Sequence, residues 1–223
     1  MSEPRSRPIA VVAVDGPAAA GKGTLARRLA ADLDFAFLDT GLLYRATAMH
    51  LAEAGRRASD LAAAEAAARQ VNAADLSDNR LRGEAVGQLA SAVAAIPAVR
   101  AALLQFQRDF VDHPPGGKAG AVVDGRDIGT VVCPGADAKI FITASAEERA
   151  RRRVKELRAR GVEAIYEAVL QDMQDRDARD SQRRTSPLRP ADDAFVLDTT
   201  DLDADAAFAA ARDYVAGKLA RMR

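Results

Sequence analysis

Tryptophan is absent from this sequence, and all aromatics together make up 4% of its 223 residues. A surface that stacks the bases of single-stranded nucleic acid needs more rings than that. The core is therefore expected to be aliphatic and alanine-rich, suited to helices packed closely on a sheet. Net charge is lacking too, because 32 Lys and Arg face 32 Asp and Glu. Without a bulk positive field, non-specific binding to nucleic acid or to a membrane surface is not expected, and any anion site has to be local. The one cysteine, Cys133, excludes an internal disulfide, and the two histidines, His50 and His113, stand too far apart for metal-ligand spacing. These scarcities point to a reducing, cytoplasmic setting and to no zinc. Long hydrophobic runs are missing as well: the run Ile9 to Val14 stops at Asp15, and Met1 to Pro8 carries Glu3 and two prolines. Neither a signal peptide nor a membrane span is expected.

What is present is an alternation. Short apolar runs at Ile9 to Val14, Phe35 to Leu38, Ala121 to Val123, Lys139 to Thr143 and Ala194 to Leu197 read as strands buried on both faces of a parallel sheet. Between them, helical spacing covers Thr24 to Leu33, Gly41 to Ala54, Leu61 to Val71, Val99 to Val111, Ala146 to Arg160, Tyr166 to Arg179 and Asp205 to Leu219. Strands alternating with helices predict an α/β fold with a doubly wound, parallel five-stranded sheet. Two connections are too long for plain crossovers. The expected organisation is one unit over 1–223, with a core at about 8–40, 119–148 and 190–223. An insertion at about 41–118 and a lid at about 149–189 would then sit on the carboxyl edge of the sheet, where ligands bind in open α/β folds.

Lysine is the last scarcity, with only Lys22, Lys118, Lys139, Lys155 and Lys218. One of these five closes the segment Gly16-Pro17-Ala18-Ala19-Ala20-Gly21-Lys22, which is followed by Gly23 and Thr24. Gly-x4-Gly-Lys between a strand and a helix lets backbone N–H groups curl around phosphates, with the lysine reaching the terminal ones. ATP-type nucleotide binding is the reading. The motif departs from its common form because Gly23 stands where Ser or Thr usually follows the lysine. The Gly-Lys-Gly-Thr ending resembles the nucleoside-monophosphate kinases. A guanine-reading Asn-Lys-x-Asp does not occur, which disfavours a GTP switch.

Further along stand Asp39-Thr40-Gly41-Leu42-Leu43-Tyr44-Arg45, Asp124-Gly125-Arg126-Asp127-Ile128-Gly129-Thr130, and Arg176-Asp177-Ala178-Arg179-Asp180-Ser181-Gln182-Arg183. Together with the phosphate loop, and with Ser91 to Ala94 and Ile96 to Arg100, these segments closely resemble the bacterial cytidylate kinases from about Ile9 to the last helix. The resemblance implies ATP as phosphoryl donor, Mg²⁺, and CMP or dCMP as acceptor. It assigns Arg45, Arg126 and Arg183 to the acceptor's phosphate, which suits the planar, always charged guanidinium. Ser91, Arg100 and Asp127 match cytosine-reading positions, since a carboxylate accepts from the exocyclic amine that uracil lacks. Arg176 and Asp180 match a ribose-reading pair, and Thr40 and Tyr44 line the same pocket. Lys22, Arg126 and Arg183 are the expected catalytic groups. Mg²⁺ is expected on nucleotide oxygens and water, with Thr24, Asp39 and Asp124 as neighbouring partners.

Plainer readings stand beside these. Arg176 and Asp180 are four apart on one predicted helix, where a surface ion pair is worth only about 0.3 to 0.5 kcal/mol. Glu148 with Arg152 and Glu156 with Arg160 have the same spacing, so the arginines from Arg149 to Arg160 read equally as a solvated face. Arg149, Arg152 and Arg153 are the candidates for lid arginines, with Arg152 and Arg153 assigned to the donor nucleotide. The stretch from Leu76 to Gly83 is too short for the small antiparallel sheet that bacterial members usually carry there, so the insertion is expected to be trimmed and more helical. A kinase for another small acceptor, a nucleotide-dependent regulatory module and a structural protein remain open. A monomer without nucleic-acid or membrane partners is the default, given the balanced charge and the absence of heptads.

Overall fold

The computed structural model describes residues 9–221. Met1 to Pro8, with the last two residues of the expected core, lies outside them. The chain divides into one unit formed by Met1–Leu38 with Val111–Arg223 and a second formed by Asp39–Phe110.

The first unit is built on strands β1 (Ala10–Asp15), β2 (Ala36–Asp39), β3 (Gly120–Gly125), β4 (Ala138–Thr143) and β5 (Phe195–Asp198), in the order β2-β3-β1-β4-β5. β1 pairs in parallel with β3 and with β4, and β4 pairs in parallel with β5. Val12, Ala13 and Val14 are all fully buried, as an unbroken apolar run in a parallel sheet covered on both faces should be. Helix α1 (Lys22–Leu33) buries Leu25, Ala26, Leu29 and Ala30, one stripe at helical spacing. That stripe shares a core with Val12, Val14, Ile140 and Ile142 of the sheet and with Ala207, Ala211 and Val215 of the last helix, Ala204–Ala220. The chain runs outward from β1 to β2, returns to β3 beside β1, then crosses to β4 and β5 on the other side. The winding reverses at β1, and a crevice at the strands' carboxyl ends is the usual ligand site of such a sheet.

The second unit is helical. It holds α2 (Thr40–Glu53), α3 (Leu61–Gln70), α4 (Glu84–Val93) and α5 (Pro97–Asp112) as far as Phe110, joined by short helical turns at Asp75–Ser77 and Asn79–Arg82. Its core gathers Leu43, Leu51, Ala64, Ala68, Ala90, Val93, Val99 and Leu103. Among its described residues there is no strand beyond the last residue of β2. Helix α4 is absent from the reading of the sequence, where Gly87 weakens the helical pattern. The glycine has a packing reason, because a Cβ there would stand 2.9 Å from an Arg45 guanidinium nitrogen. The other boundaries shift by two residues at most. Thus α5 opens at Pro97 rather than Val99, since proline is pre-organised for a helix's first position. The three remaining helices are α6 (Ala146–Ala159), α7 (Tyr166–Ser181) and α8 (Ala204–Ala220). No single helix among the described residues is long and apolar enough to cross a membrane.

Candidate active site

The phosphate loop leaves β1 through Gly16, whose φ is 151°. A Cβ at this position would lie 2.1 Å from the carbonyl oxygen of Ile142 on β4, so only glycine lets the loop start against the sheet. The loop ends at Gly21, and the first intrahelical bond of α1 runs from the Leu25 N–H to the Gly21 carbonyl at 3.1 Å. The amides of Lys22, Gly23 and Thr24 therefore belong to the first turn, whose donors a helix offers to caps or anions. Lys22 Nζ stands 3.7 Å from Asp124 Oδ1, on a carboxylate one residue before the end of β3 that is almost wholly buried. A Cβ at Gly23 would approach Asp124 Oδ2 to 3.2 Å, so glycine gives room to the carboxylate that balances the lysine.

Beside the loop lies a cavity of about 350 Å³, walled by Ala20, Gly21, Thr24 and Arg28 on one side and by Arg152, Thr199 and Leu202 on the other. Arg152 donates from Nε to Glu148 at 3.0 Å, and from Nη1 and Nη2 to the hydroxyl and carbonyl of Thr199 at 3.0 and 2.5 Å. Thr199 in turn donates to the Ala20 carbonyl at 3.1 Å. Arg152 is thus held against the loop. Arg153 pairs with Glu156 at 2.8 Å and is not among the residues that wall the cavity. Arg149 is buried: it donates to the carbonyls of Ala144 at 3.0 Å and Ala18 at 3.4 Å, and pairs with Asp177 of α7 at 2.7 Å. One solvated face does not describe these arginines. Thr199 and Leu202 were not singled out from the sequence, where the only signal was their place just after the last strand.

At the end of β3, next to β1, comes Arg126. Its Nε donates to Asp180 Oδ2 at 3.3 Å, and its Nη1 to the Gly125 carbonyl at 3.1 Å. Arg183 donates to the other oxygen of the same carboxylate. Asp180 is 4% exposed, so it is not one half of a surface ion pair with Arg176. Burial opposes its ionisation, but the charges of Arg126, Arg183 and Arg176 outweigh that cost and hold its carboxyl below the ordinary value. Asp127, 4% exposed, opens a wide helical turn over Ile128–Val132. Arg126, Asp127, Arg176, Asp180 and Arg183 all belong to the first unit. The second carries the remaining acceptor candidates. There Thr40 opens α2, capped by Asp39, which accepts the Gly41 N–H at 3.0 Å. Arg45 donates to the carbonyls of Leu81 at 2.8 Å and Gly83 at 3.2 Å. Arg100 lies 5.4 Å from the centre of the Tyr44 ring and donates to the Ala94 carbonyl at 3.2 Å. Ser91, on α4, is buried.

Comparison with known proteins accounts for this combination of a phosphate loop with an arginine-rich edge. Residues 12–216 match the family model described as cytidylate kinase. A protein named cytidylate kinase from Paramagnetospirillum magneticum is 62% identical over 208 residues, which cover 93% of this chain and 98% of the relative. One of the same name from Rhodospirillum rubrum is 56% identical, with the same coverage. Among solved structures, an uncharacterised protein from Eubacterium ventriosum superposes with a TM-score of 0.55 at 12% identity, covering 93% of this chain and 98% of that one, a likeness of fold alone. A match over nearly the whole length at such identity leaves one assignment: this chain belongs to the cytidylate kinase family.

Proposed function

We propose that this chain transfers the γ-phosphoryl group of ATP to CMP or dCMP, giving ADP and CDP or dCDP. The observation that carries this reading is the pairing of two sites at the carboxyl ends of adjacent strands. The Lys22 loop follows β1, and the Arg126–Asp127 turn follows β3, with Asp15 in register with Gly125. A donor loop beside an acceptor turn is what in-line transfer between two nucleotides needs.

In this mechanism an oxygen of the acceptor's phosphate attacks the γ-phosphorus while the bond to the bridging oxygen breaks, and ADP leaves with the bonding pair. No covalent enzyme intermediate is required. Lys22 neutralises charge on the transferring group, while Arg126 and Arg183 hold the acceptor phosphate, as does Arg45 by resemblance to the family. The cavity beside Thr199 and Arg152 is the proposed seat of the donor's nucleoside. By the same resemblance, cytosine reading is assigned to Asp127, Arg100 and Ser91, the ribose to Arg176 and Asp180, and a further acceptor role to Thr40 and Tyr44. The Thr24 hydroxyl on the first turn of α1 and the Asp124 carboxylate beside Lys22 are hard oxygen groups of the kind suited to a Mg²⁺ ion held on nucleotide oxygens and water. Such an ion would offset phosphate charge. The reaction is proposed for the cytoplasm, with the chain acting as a monomer.

The test is an acceptor panel of CMP, dCMP, UMP and AMP assayed by ADP release, run on the wild type and on Asp127→Ala. Cytosine offers its amine to Asp127, whereas uracil presents an oxygen to the carboxylate and leaves buried polar groups unpaired. The wild type should favour CMP and dCMP. Truncating Asp127 should shrink the CMP-over-UMP ratio of kcat/KM by roughly 1 to 3 kcal/mol, mainly through weaker use of CMP. An unchanged ratio removes Asp127 as the base reader, and a wild type that ignores CMP overturns the reading as a whole.

A further inference from the structure

We propose that Asp15 is a positioning residue for acceptor binding: its buried carboxylate clamps the turn that carries Arg126 and Asp127, and fixes that turn to the residue from which the phosphate loop departs. The proposal rests on the acceptor role given above to Arg126 and Asp127. Asp15 is the last residue of β1, immediately before Gly16, and is 5% exposed. Its Oδ1 accepts the Ile128 N–H at 2.8 Å and its Oδ2 accepts the Gly129 N–H at 2.7 Å. These are the first two amides of the Ile128–Val132 turn, where helical geometry leaves N–H groups without intrahelical partners.

The residue expected to cap such a turn is the one that opens it, Asp127, yet the Asp127 side chain makes no capping bond. A carboxylate more than a hundred positions earlier does so instead. The capping task is thereby separated from Asp127. A buried carboxylate at a strand end is costly unless something needs it. An apolar residue would extend the other face of β1, that of Ala13, without that cost, but would leave the two amides with no acceptor from β1. The contact also links two sites. A shift at Asp15, the residue just before the loop, reaches the acceptor turn directly through two short hydrogen bonds.

The charged groups around Asp15 sharpen the consequence. Burial above all, and then the nearby carboxylates of Asp127 and Asp124, push Asp15 up to about 7, against the two N–H bonds, which favour its ionised form. On β4, Lys139 directs its ammonium to Asp193 at 2.9 Å, and on α1, Lys22 stands by Asp124. The ionised carboxylate accepts both N–H groups fully, whereas the protonated one must turn one oxygen into a donor. The turn is therefore held tightly above the Asp15 transition and less tightly below it.

The experiment compares wild type with Asp15→Asn across pH 6 to 8.5. At the alkaline end the variant's KM for CMP should exceed the wild-type value about tenfold, as expected on losing one charge-assisted bond. Its KM for ATP and its kcat should stay within about twofold. The acceptor's own phosphate titration cancels in the ratio of the two KM values, so that ratio should fall toward one as pH drops and the wild-type carboxyl becomes neutral. A ratio that does not vary with pH, or losses shared equally between CMP and ATP, would overturn the proposal. Should Asp15→Asn not fold, the wild type alone decides: the backbone amide resonances of Ile128 and Gly129 should shift together in one pH titration, and their failure to do so overturns the clamp. Asp127→Ala, run in parallel, separates the two readings. A raised KM for CMP there, with none in Asp15→Asn, removes only Asp15. An unaltered KM for CMP in both variants overturns the proposal together with the base-reading role of Asp127.

Discussion

Replacing Lys22 by alanine should lower turnover with ATP and CMP by roughly two to three orders of magnitude, the loss expected when one pre-positioned charge on a transition state is removed. The lysine lies in the first turn of α1, where it faces phosphates only if a nucleotide occupies the loop. Its ammonium stands 3.7 Å from Asp124. Substrate phosphates would then draw Lys22 from one anion to another, so little of its charge stabilisation is uniform binding and most is specific to transfer. Removing it also leaves the buried Asp124 carboxylate without that cation, and alanine removes the packing of the lysine stem as well. Lys22→Met keeps the apolar stem and removes only the charge. Both variants should retain the wild-type circular dichroism spectrum while losing turnover to a similar degree, measured as kcat at saturating ATP and CMP. Near-normal turnover in a folded Lys22→Met protein would exclude the lysine from the mechanism.

How far the sequence discloses this site depends on distance along the chain. The phosphate loop is local: strand, glycines, lysine and helix fall within residues 10–33, and each obeys a short-range rule of backbone geometry. The strands are legible for the same reason, since Val12 to Val14 and Ile140 to Ile142 are apolar runs with one interpretation in a fold wrapped by helices. The far wall of the cavity beside the loop is not local. Thr199 bonds Ala20 across 179 positions, and nothing near Thr199 in sequence announces the loop it meets. Helix α4 escapes notice because Gly87, which helix propensity counts against, packs close to the guanidinium of Arg45. Spacing also misleads at Arg176 and Asp180. Four residues apart on one helix suggests a mutual surface pair, but Asp180 turns inward and takes Arg126, 54 positions earlier, and Arg183.

That inward turn sets the second large effect. Asp180→Ala should reduce kcat/KM for CMP and for dCMP together, because the carboxylate holds Arg126 through one oxygen and Arg183 through the other. Without it, two guanidinium groups assigned to the acceptor's phosphate lose their common anchor and repel each other. A contact from Asp180 to ribose would add a further deficit seen only with CMP, whose 2′-hydroxyl dCMP lacks. The common loss should exceed this difference. Stability should fall as well, since removing one partner from a buried pair costs about 3 kcal/mol or more, or at least several degrees in melting temperature for a chain of this size. The cost should lie toward the lower end because the Arg126 side chain is 17% exposed and keeps contact with water. The sign with pH follows from the lowered carboxyl. Its contribution is fully present above the unfolded-state value near 3.8 and is lost as pH falls through the lower folded-state value. The wild type should therefore lose more stability than Asp180→Ala on acidification through that window, as measured by urea unfolding at a series of pH values. Asp180→Asn separates anchor from charge: it keeps one oxygen acceptor for an arginine, so it should recover part of the activity toward both acceptors while the acid-dependent difference stays lost. A defect confined to CMP would show that the arginines hold their places without Asp180. Equal defects for CMP and dCMP would leave the carboxylate with anchoring as its whole role.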